Sequence, residues 1–293
     1  SYRIIQYGFY TFSAQLIFVI VPILMGKDII WSVYGLLAIT LVRWIWLIIL
    51  LRRYTKPEIS LEFMKEHIYL GSPLIITSLI SGSSQYVDGV IISSVYRDPA
   101  LFAWFRYGAK EFPLVLLLAN GLSNAMLPEF ATRAKMKESL AKLKLKSKRL
   151  MHLLFPITMV IMLFSRWFYP RIFSPEFHKS AGVFLIYSLL IIPRLLFPQT
   201  IIIGRKRTRV TLLAAIIEIG LNIPLSFLMI KWGYGIVGVA LATFIVYCVA
   251  KIFLAGYLWG TMKIKPSAYI PLKVFLIYSL LTTVVFMLVD RRI

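Results

Sequence analysis

The sequence predicts an all-α polytopic membrane protein with about nine transmembrane helices. Three observations carry that expectation: of 293 residues 59% are apolar, only 15% are charged, and the mean hydropathy is +0.81. A soluble domain averages roughly 45–50% apolar and 25% charged residues, so no soluble fold of this length could hide so much apolar surface. The formal net charge of +21 would suggest nucleic acid in a soluble chain. Here the basic residues fall between apolar runs, the pattern of Lys and Arg held on the cytoplasmic side of a membrane, and no nucleic-acid partner is expected.

A span needs ~20 mostly apolar residues, or up to ~25 when tilted. Nine runs qualify: Ile4–Met25, Ile29–Leu51, His67–Tyr96, Ala100–Pro128, Leu150–Phe173, Ala181–Gly204, Val210–Ile230, Tyr234–Tyr257 and Ile270–Val289. Alternate loops between them are basic. They carry Arg52, Arg53, Lys56 and Lys65, then Arg133 to Arg149, then Arg205, Lys206, Arg207 and Arg209, then Lys263 and Lys265. The intervening loops are short and nearly neutral. The alternation is unbroken, which puts the basic set in the cytoplasm, residue 1 inside and residue 293 outside.

Within the basic loop 131–149, Met136, Leu140, Leu143 and Leu150 recur at helical spacing. That spacing predicts an amphipathic helix lying on the membrane surface, its lysines enforcing topology and touching anionic headgroups. Helix breakers interrupt several spans: Gly71-Ser72-Pro73, Pro113, Pro193 with Pro198, and Pro224. Proline removes a backbone donor, a loss tolerated in membranes where neighbours or water restore the hydrogen bonds. Cys248 is the one cysteine, and His67, His152 and His178 lie far apart, so neither a disulfide framework nor a metal site is expected. Ser1 opens the chain without a methionine, consistent with a piece of something longer.

The chemistry lies in charges inside the spans. A charge at the bilayer centre costs ~3 kcal/mol or more, so such charges face a partner or a wet cavity. Asp88 lies nine residues before Arg97 at a hairpin tip and Arg106 nine after it, so both sit ~13 Å from that end and are expected to meet. Gln85 and Lys110 share a depth one turn further in, and Lys110 shares a helix face with Arg106. Glu111, the next residue, points about 100° away. Arg194 and Glu218 lie twelve residues on either side of Lys206, both ~18 Å from the opposite end. Arg43 in the second span adds a further base. Arg166 and Lys251 read as lying near span ends, from which they can snorkel to the interface.

Two readings stand. The charges are buried ion pairs holding spans together, or they line a functional cavity. Buried pairs are poor stabilisers, and four bases (Arg43, Arg106, Lys110, Arg194) do not balance three acids (Asp88, Glu111, Glu218), which favours the cavity. The bases suit an anion, since Arg grips phosphate with a planar fork. Asn120, Asn124, Gln199 and Asn222 add neutral donors and acceptors of the kind sugars need. No G-x-x-x-x-G-K-[ST] loop is present and no loop could house an ATPase, so energy would come from a gradient.

The run GVIISSVYRDPALFAWFRYGAKEFPLVLLLANGLSNAMLPEFA, the GRKRTR turn and LNIPLSFLMIKWGYGIVGVALATFIVY resemble polysaccharide and lipid-linked oligosaccharide flippases. These belong to the multidrug/oligosaccharidyl-lipid/polysaccharide exporter superfamily. The Trp232-Gly233-Tyr234-Gly235-Ile236-Val237-Gly238-Val239-Ala240 segment is the most recognisable part, and the resemblance covers about residues 60–257 well. It implies two six-helix lobes around a cavity of alternating access. On that template residues 1–56 are the last two helices of the first lobe and 57–257 the complete second lobe. Residues 258–293 then form an additional helix, and four helices would precede this chain.

The resemblance also implies the activity. The protein would flip a polyprenyl-pyrophosphate-linked oligosaccharide, an O-antigen or other surface-polysaccharide precursor, across the cytoplasmic (inner) membrane, without a cofactor or an enzymatic step. Arg106, Lys110, Arg194 and Arg43 would bind the substrate. Asp88, Glu111 and Glu218 would orient them or couple H+ or Na+, and Gln85, Asn120, Asn124, Gln199 and Asn222 would line the cavity. Membrane lipids and a glycan polymerase or glycosyltransferases of the same pathway are candidate partners. The alternatives are a cation-coupled drug antiporter of the same superfamily, which needs an acidic cavity, and a membrane enzyme of glycan assembly, which needs a long outer loop.

Overall fold

The computed structural model describes residues 2–54, 60–131 and 135–290, the side chains of residues 2–5, 54, 84 and 85 excepted. Arg133 and Lys56 lie outside the described residues, as does the side chain of Gln85. Every regular element among the described residues is helical. Among the described residues seven helices are long and apolar enough to cross a membrane, or eight when a bent pair is taken as one span, in keeping with the expected polytopic fold.

Two compact units make up the chain, Ser1–Met64 and Lys65–Ile293. The first holds α1 (Tyr2–Leu24) and α2 (Ile29–Tyr54), joined by a turn with Gly26 at a positive φ. The two cross where Gly35 faces Phe18: a Cβ on Gly35 would come 2.4 Å from the Phe18 carbonyl oxygen. Nearby, the Ser32 hydroxyl donates to the Val19 carbonyl at 2.8 Å.

The second unit is built from the rest of α3 (Leu61–Tyr96), α4 (Pro99–Gly108), α5 (Pro113–Met126), α6 (Met136–Ile172) and α7 (His178–Leu189). They are followed by α8 (Ile191–Arg194), α9 (Pro198–Gly204), α10 (Thr208–Lys231), α11 (Gly235–Gly260), α12 (Pro266–Tyr269) and α13 (Leu272–Asp290). Its main core lies among α5, α6, α8, α9, α11 and α12, where Phe130, Leu143, Leu154, Phe155, Ile201 and Leu258 are buried. A second cluster joins α3, α4, α7 and α11 through Ile92, Phe105, Val183, Ile186 and Val239.

Two expected spans are broken. The run 100–128 stops at Gly108 and restarts at Pro113, and the run 181–204 bends by 49° between Arg194 and Pro198. Both restarts place proline at the first helical position, where its missing N–H is no loss. Pro73, Pro156, Pro170 and Pro224 sit instead inside continuous helices. Beside Pro73 the Thr77 hydroxyl takes up the Pro73 carbonyl at 2.6 Å.

The basic segment is also different from its expected form. Residues 136–149 are not a separate surface helix but the first turns of the 37-residue α6, which runs unbroken into the following span. The apolar stripe that suggested a surface helix is spent on protein: Leu140 and Leu143 are buried in the core of the unit. The basic loops meet one another at this end. Lys144 donates to the Ser267 carbonyl at 2.7 Å, Lys206 pairs with Glu66 at 2.6 Å, and Lys142 pairs with Glu129. Hydrogen bonding to Lys142 holds the Glu129 carboxyl below its ordinary range. That contact contributes above the ordinary carboxylate pKa and is lost as pH falls through the lowered one, a small effect at an exposed site.

Close approach of helices depends on glycine. A Cβ on Gly108 would lie 2.5 Å from the Ser180 carbonyl oxygen and 2.7 Å from the Val183 Cβ, so α4 can rest on α7 only without it. Gly121, by contrast, has open space around it. Gly108→Val should therefore lower the thermal midpoint of the protein in detergent, by an over-packing cost of about 1–3 kcal/mol, while Gly121→Ala leaves it unchanged.

Candidate functional site

The second unit encloses a polar cavity of about 480 Å³ lined by α3, α5, α7, α8, α9, α10 and α11, together with Glu111 of the α4–α5 break. Its lining residues recur at helical spacing on three helices. Thr77, Ser78, Ser81 and Asp88 come from α3; Thr211, Ala214, Ala215 and Glu218 from α10; Thr243, Tyr247, Ala250, Lys251 and Leu254 from α11. Steps of three, four and seven put each set on one face, a polar stripe within a helix that is otherwise apolar.

The two helix breaks supply the central ion pair. Glu111 stands in the break between α4 and α5, and Arg194 ends α8 just before the bend. Arg194 Nε donates to Glu111 Oε2 at 3.0 Å, and its Nη2 donates to Oε1, a two-pronged contact that fixes both planes. The guanidinium also lies 4.7 Å over the Tyr247 ring. A hydrogen bond of 2.7 Å between Ser123 of α5 and Thr200 of α9 ties the two broken spans a second time.

Lys251 enters the same space from α11, buried to 8% exposure, with its ammonium 5.3 Å from the Tyr247 ring centre. Glu218 faces the cavity from α10. Neither belongs to an ion pair among the described residues. The lining thus carries two bases, Arg194 and Lys251, against three acids, Asp88, Glu111 and Glu218.

Asp88 is fully buried at the far side. Its Oδ2 accepts from the Tyr187 hydroxyl at 2.9 Å and from the Thr243 hydroxyl at 2.6 Å. Thr243 in turn accepts from the Asn222 amide at 3.0 Å. The second carboxylate oxygen, Oδ1, is buried with no hydrogen bond among the described residues. A buried carboxylate oxygen without a donor is costly, which sets Asp88 apart from the other acids of the lining.

Of the residues singled out in the sequence, the structure gathers Asp88, Glu111, Arg194, Glu218, Asn120 and Gln199 around this one cavity. Asn222 supports it through Thr243. Three expected relationships change. Asp88 does not meet Arg106, whose guanidinium instead lies 5.1 Å over the Tyr86 ring in a separate cleft of about 470 Å³. A depth count runs along each helix and cannot tell which way a side chain faces. Lys110 is exposed, and the helical-wheel angle between it and Glu111 does not apply, because the helix has ended. Arg194 shares the cavity with Glu218, yet its ion partner is Glu111. Arg43 is exposed on α2 in the other unit, and Asn124 is exposed on α5.

Lys251 is a correction of a different kind, whereas Arg166 does stand near the end of α6 at Ile172. Lys251 looks like a span-end residue if the helix stops at Tyr257, but α11 runs on to Gly260 and leaves it nine residues deep. From Lys263 it lies twelve residues in, the count that marked Arg194 and Glu218, so the same depth count would have found it. Tyr187, Thr243 and Tyr247 carry no charge and gave no signal beyond their helical spacing.

The architecture is an all-helical one of long apolar helices, and comparison with known proteins finds the same fold. The fold is shared with the lipid II flippase MurJ in an inward closed conformation: TM-score 0.62, 21% identity, 95% of this chain and 59% of that one covered. It is also shared with a MOP superfamily transporter from Pyrococcus furiosus described as having a binding pocket of reverse polarity. There the TM-score is 0.54 at 21% identity, over 76% of this chain and 52% of the other. A MATE transporter in its straight conformation gives 0.56 at 21% identity, over 74% and 52%. The chain spans between half and three fifths of the length of these structures. Among curated proteins none matches the sequence. A sequence profile of the polysaccharide biosynthesis protein family matches residues 5–182, more than half of the chain, and the chain belongs to that family.

The ion pair of the two breaks is testable. Glu111→Gln and Arg194→Gln should each destabilise the protein in detergent. Their double-mutant cycle should return a coupling energy of about 1–3 kcal/mol, read from unfolding midpoints. A cycle that closes at zero would mean that the two breaks are held independently.

Proposed function

We propose that the protein flips a polyprenyl-pyrophosphate-linked oligosaccharide, a precursor of a surface polysaccharide, across the cytoplasmic membrane by alternating access. The observation that carries this reading is the charged and hydroxyl-rich cavity inside a unit that is otherwise apolar. Arg194 and Lys251 supply donors for a pyrophosphate or an acidic sugar, and Asn120 and Gln199 supply the neutral contacts that sugars use. Arg106 over Tyr86 and the exposed Lys110, outside the cavity but in the same unit, offer further cationic contacts to the cargo. Family membership supports the glycan as cargo, and the fold shared with a lipid II flippase supports a lipid-linked one. Glycosyltransferases and a glycan polymerase would supply and consume such a cargo. The alternation of basic and neutral loops supports residue 1 on the cytoplasmic side.

Asp88 is the acid best suited to couple an ion, because its free Oδ1 and the oxygens of Thr243 and Tyr187 make an oxygen-lined corner. Glu111 is committed to Arg194. Export of the glycan in a complementation assay should fall by ~10²-fold or more in Arg106→Ala/Arg194→Ala, since each charge-assisted contact is worth about 1.5–3 kcal/mol. Full export in that double variant would overturn the reading. Asp88→Asn should leave substrate binding intact while abolishing the dependence of transport on a Na+ or pH gradient.

One observation favours a second reading. Acids outnumber bases three to two around the cavity, the balance expected for a cation-coupled antiporter of cationic drugs. Drug resistance conferred on a pump-deficient host, with no effect on glycan export, would select it.

A further inference from the structure

A second cavity, of about 550 Å³, opens at the end of the C-terminal unit opposite the basic loops. Arg166 of α6 and His178 and Lys179 of α7 stand on its polar side, and Leu101, Ile236 and Val237 form its apolar wall. None of its lining residues is acidic. Neither base is neutralised by a carboxylate among the described residues. Among the described residues Arg166 donates to a main-chain carbonyl, that of Asp290, at 3.4 Å, and the Lys179 ammonium lies 4.1 Å from the centre of the Trp104 ring.

The depth of this cavity is marked by aromatic residues. Trp167, Trp232 and Tyr234 are all more than half exposed around this end. Trp and Tyr with exposed rings collect where hydrocarbon meets headgroups. A cavity at that level, with positive charge on one side and an aliphatic wall on the other, is complementary to one kind of molecule. Its ligand must carry a phosphate at headgroup depth and hydrocarbon running along Leu101, Ile236 and Val237.

We propose that this cavity is a binding site for an anionic membrane phospholipid. The phosphate sits between Arg166 and Lys179, and an acyl chain lies against the α4–α11 wall. The site is separate from the polar cavity and shares no residue with it. A bound lipid there would fasten α6, α7 and α11 to one another at the end where the described basic loops provide no ion pairs.

The test is lipid retention by the purified full chain, read by native mass spectrometry after titration with phosphatidylglycerol or phosphatidylcholine. The wild type should retain phosphatidylglycerol in preference to phosphatidylcholine. Arg166→Gln/Lys179→Gln should weaken that retention roughly 30-fold, the effect of removing two basic side chains at the headgroup level. The charge-keeping variant Arg166→Lys/Lys179→Arg should retain it, and Lys179→Gln alone, at an exposed position, should weaken it about 5-fold without unfolding the protein. Equal retention of the two lipids by the wild type, or unchanged retention in Lys179→Gln and in the double glutamine variant, would overturn the proposal. Preferential displacement of phosphatidylglycerol by a polyprenyl phosphate would also overturn it, assigning the site to the transported lipid.

Discussion

The Arg194–Glu111 ion pair joins the two places where the C-terminal unit abandons regular helix. In hydrocarbon every backbone N–H and C=O must find a partner, so a helix can stop at mid-depth only where protein or water takes over its bonds. At each stop the backbone first turns back on itself: Ala109 N–H donates to the Phe105 carbonyl and Leu196 N–H to the Pro193 carbonyl. Each stop brings a proline to its restart, and each contributes one member of the ion pair to the space that the missing turns vacate. Charge and backbone break thus occur at the same place. The pair needs a polar space, and the broken helices need something to line it.

Around that pair the polar groups fall into two kinds. Asp88, Tyr187, Thr243 and Asn222 form a tight hydroxyl and amide network with a single unmet oxygen. Lys251 and Glu218 stand in the cavity without ion-pair partners among the described residues. The first kind is closed by hydrogen bonds except at one buried oxygen, and the second leaves two charges facing the open cavity. α11 carries both: Thr243 serves the first, while Lys251, two turns along the same face, serves the second. Movement of one helix would thus be felt at both.

Much of the fold was legible in composition and loop charge. Seven long apolar helices, with the described basic loops meeting one another at one end, follow from spans of ~20 residues and from where Lys and Arg fall. The breaks at 109–112 and 195–197 were signalled by Pro113 and Pro198, but so were false breaks at Pro73 and Pro224, because proline does not say whether a neighbour will repair the helix. The continuous α6 was hidden for a related reason. An amphipathic stripe looks the same whether it faces a membrane surface or, as Leu140 and Leu143 do, a protein core.

Sequence by itself determined the class of the protein and most of its long apolar helices, since hydrocarbon tolerates little else, but it left open the breaks in two spans and the burial of Lys251. It also carried the cavity stripes on α3, α10 and α11 as helical spacing. Only the tertiary structure decided which charges meet. Asp88 and Arg106 share a depth but face different neighbours, whereas Glu111 and Arg194 lie 83 residues apart and are bonded. Depth is a property of one helix and can be counted along the chain. The direction a side chain faces depends on how helices are rotated against each other, which is set by close contacts such as Gly108 on Ser180.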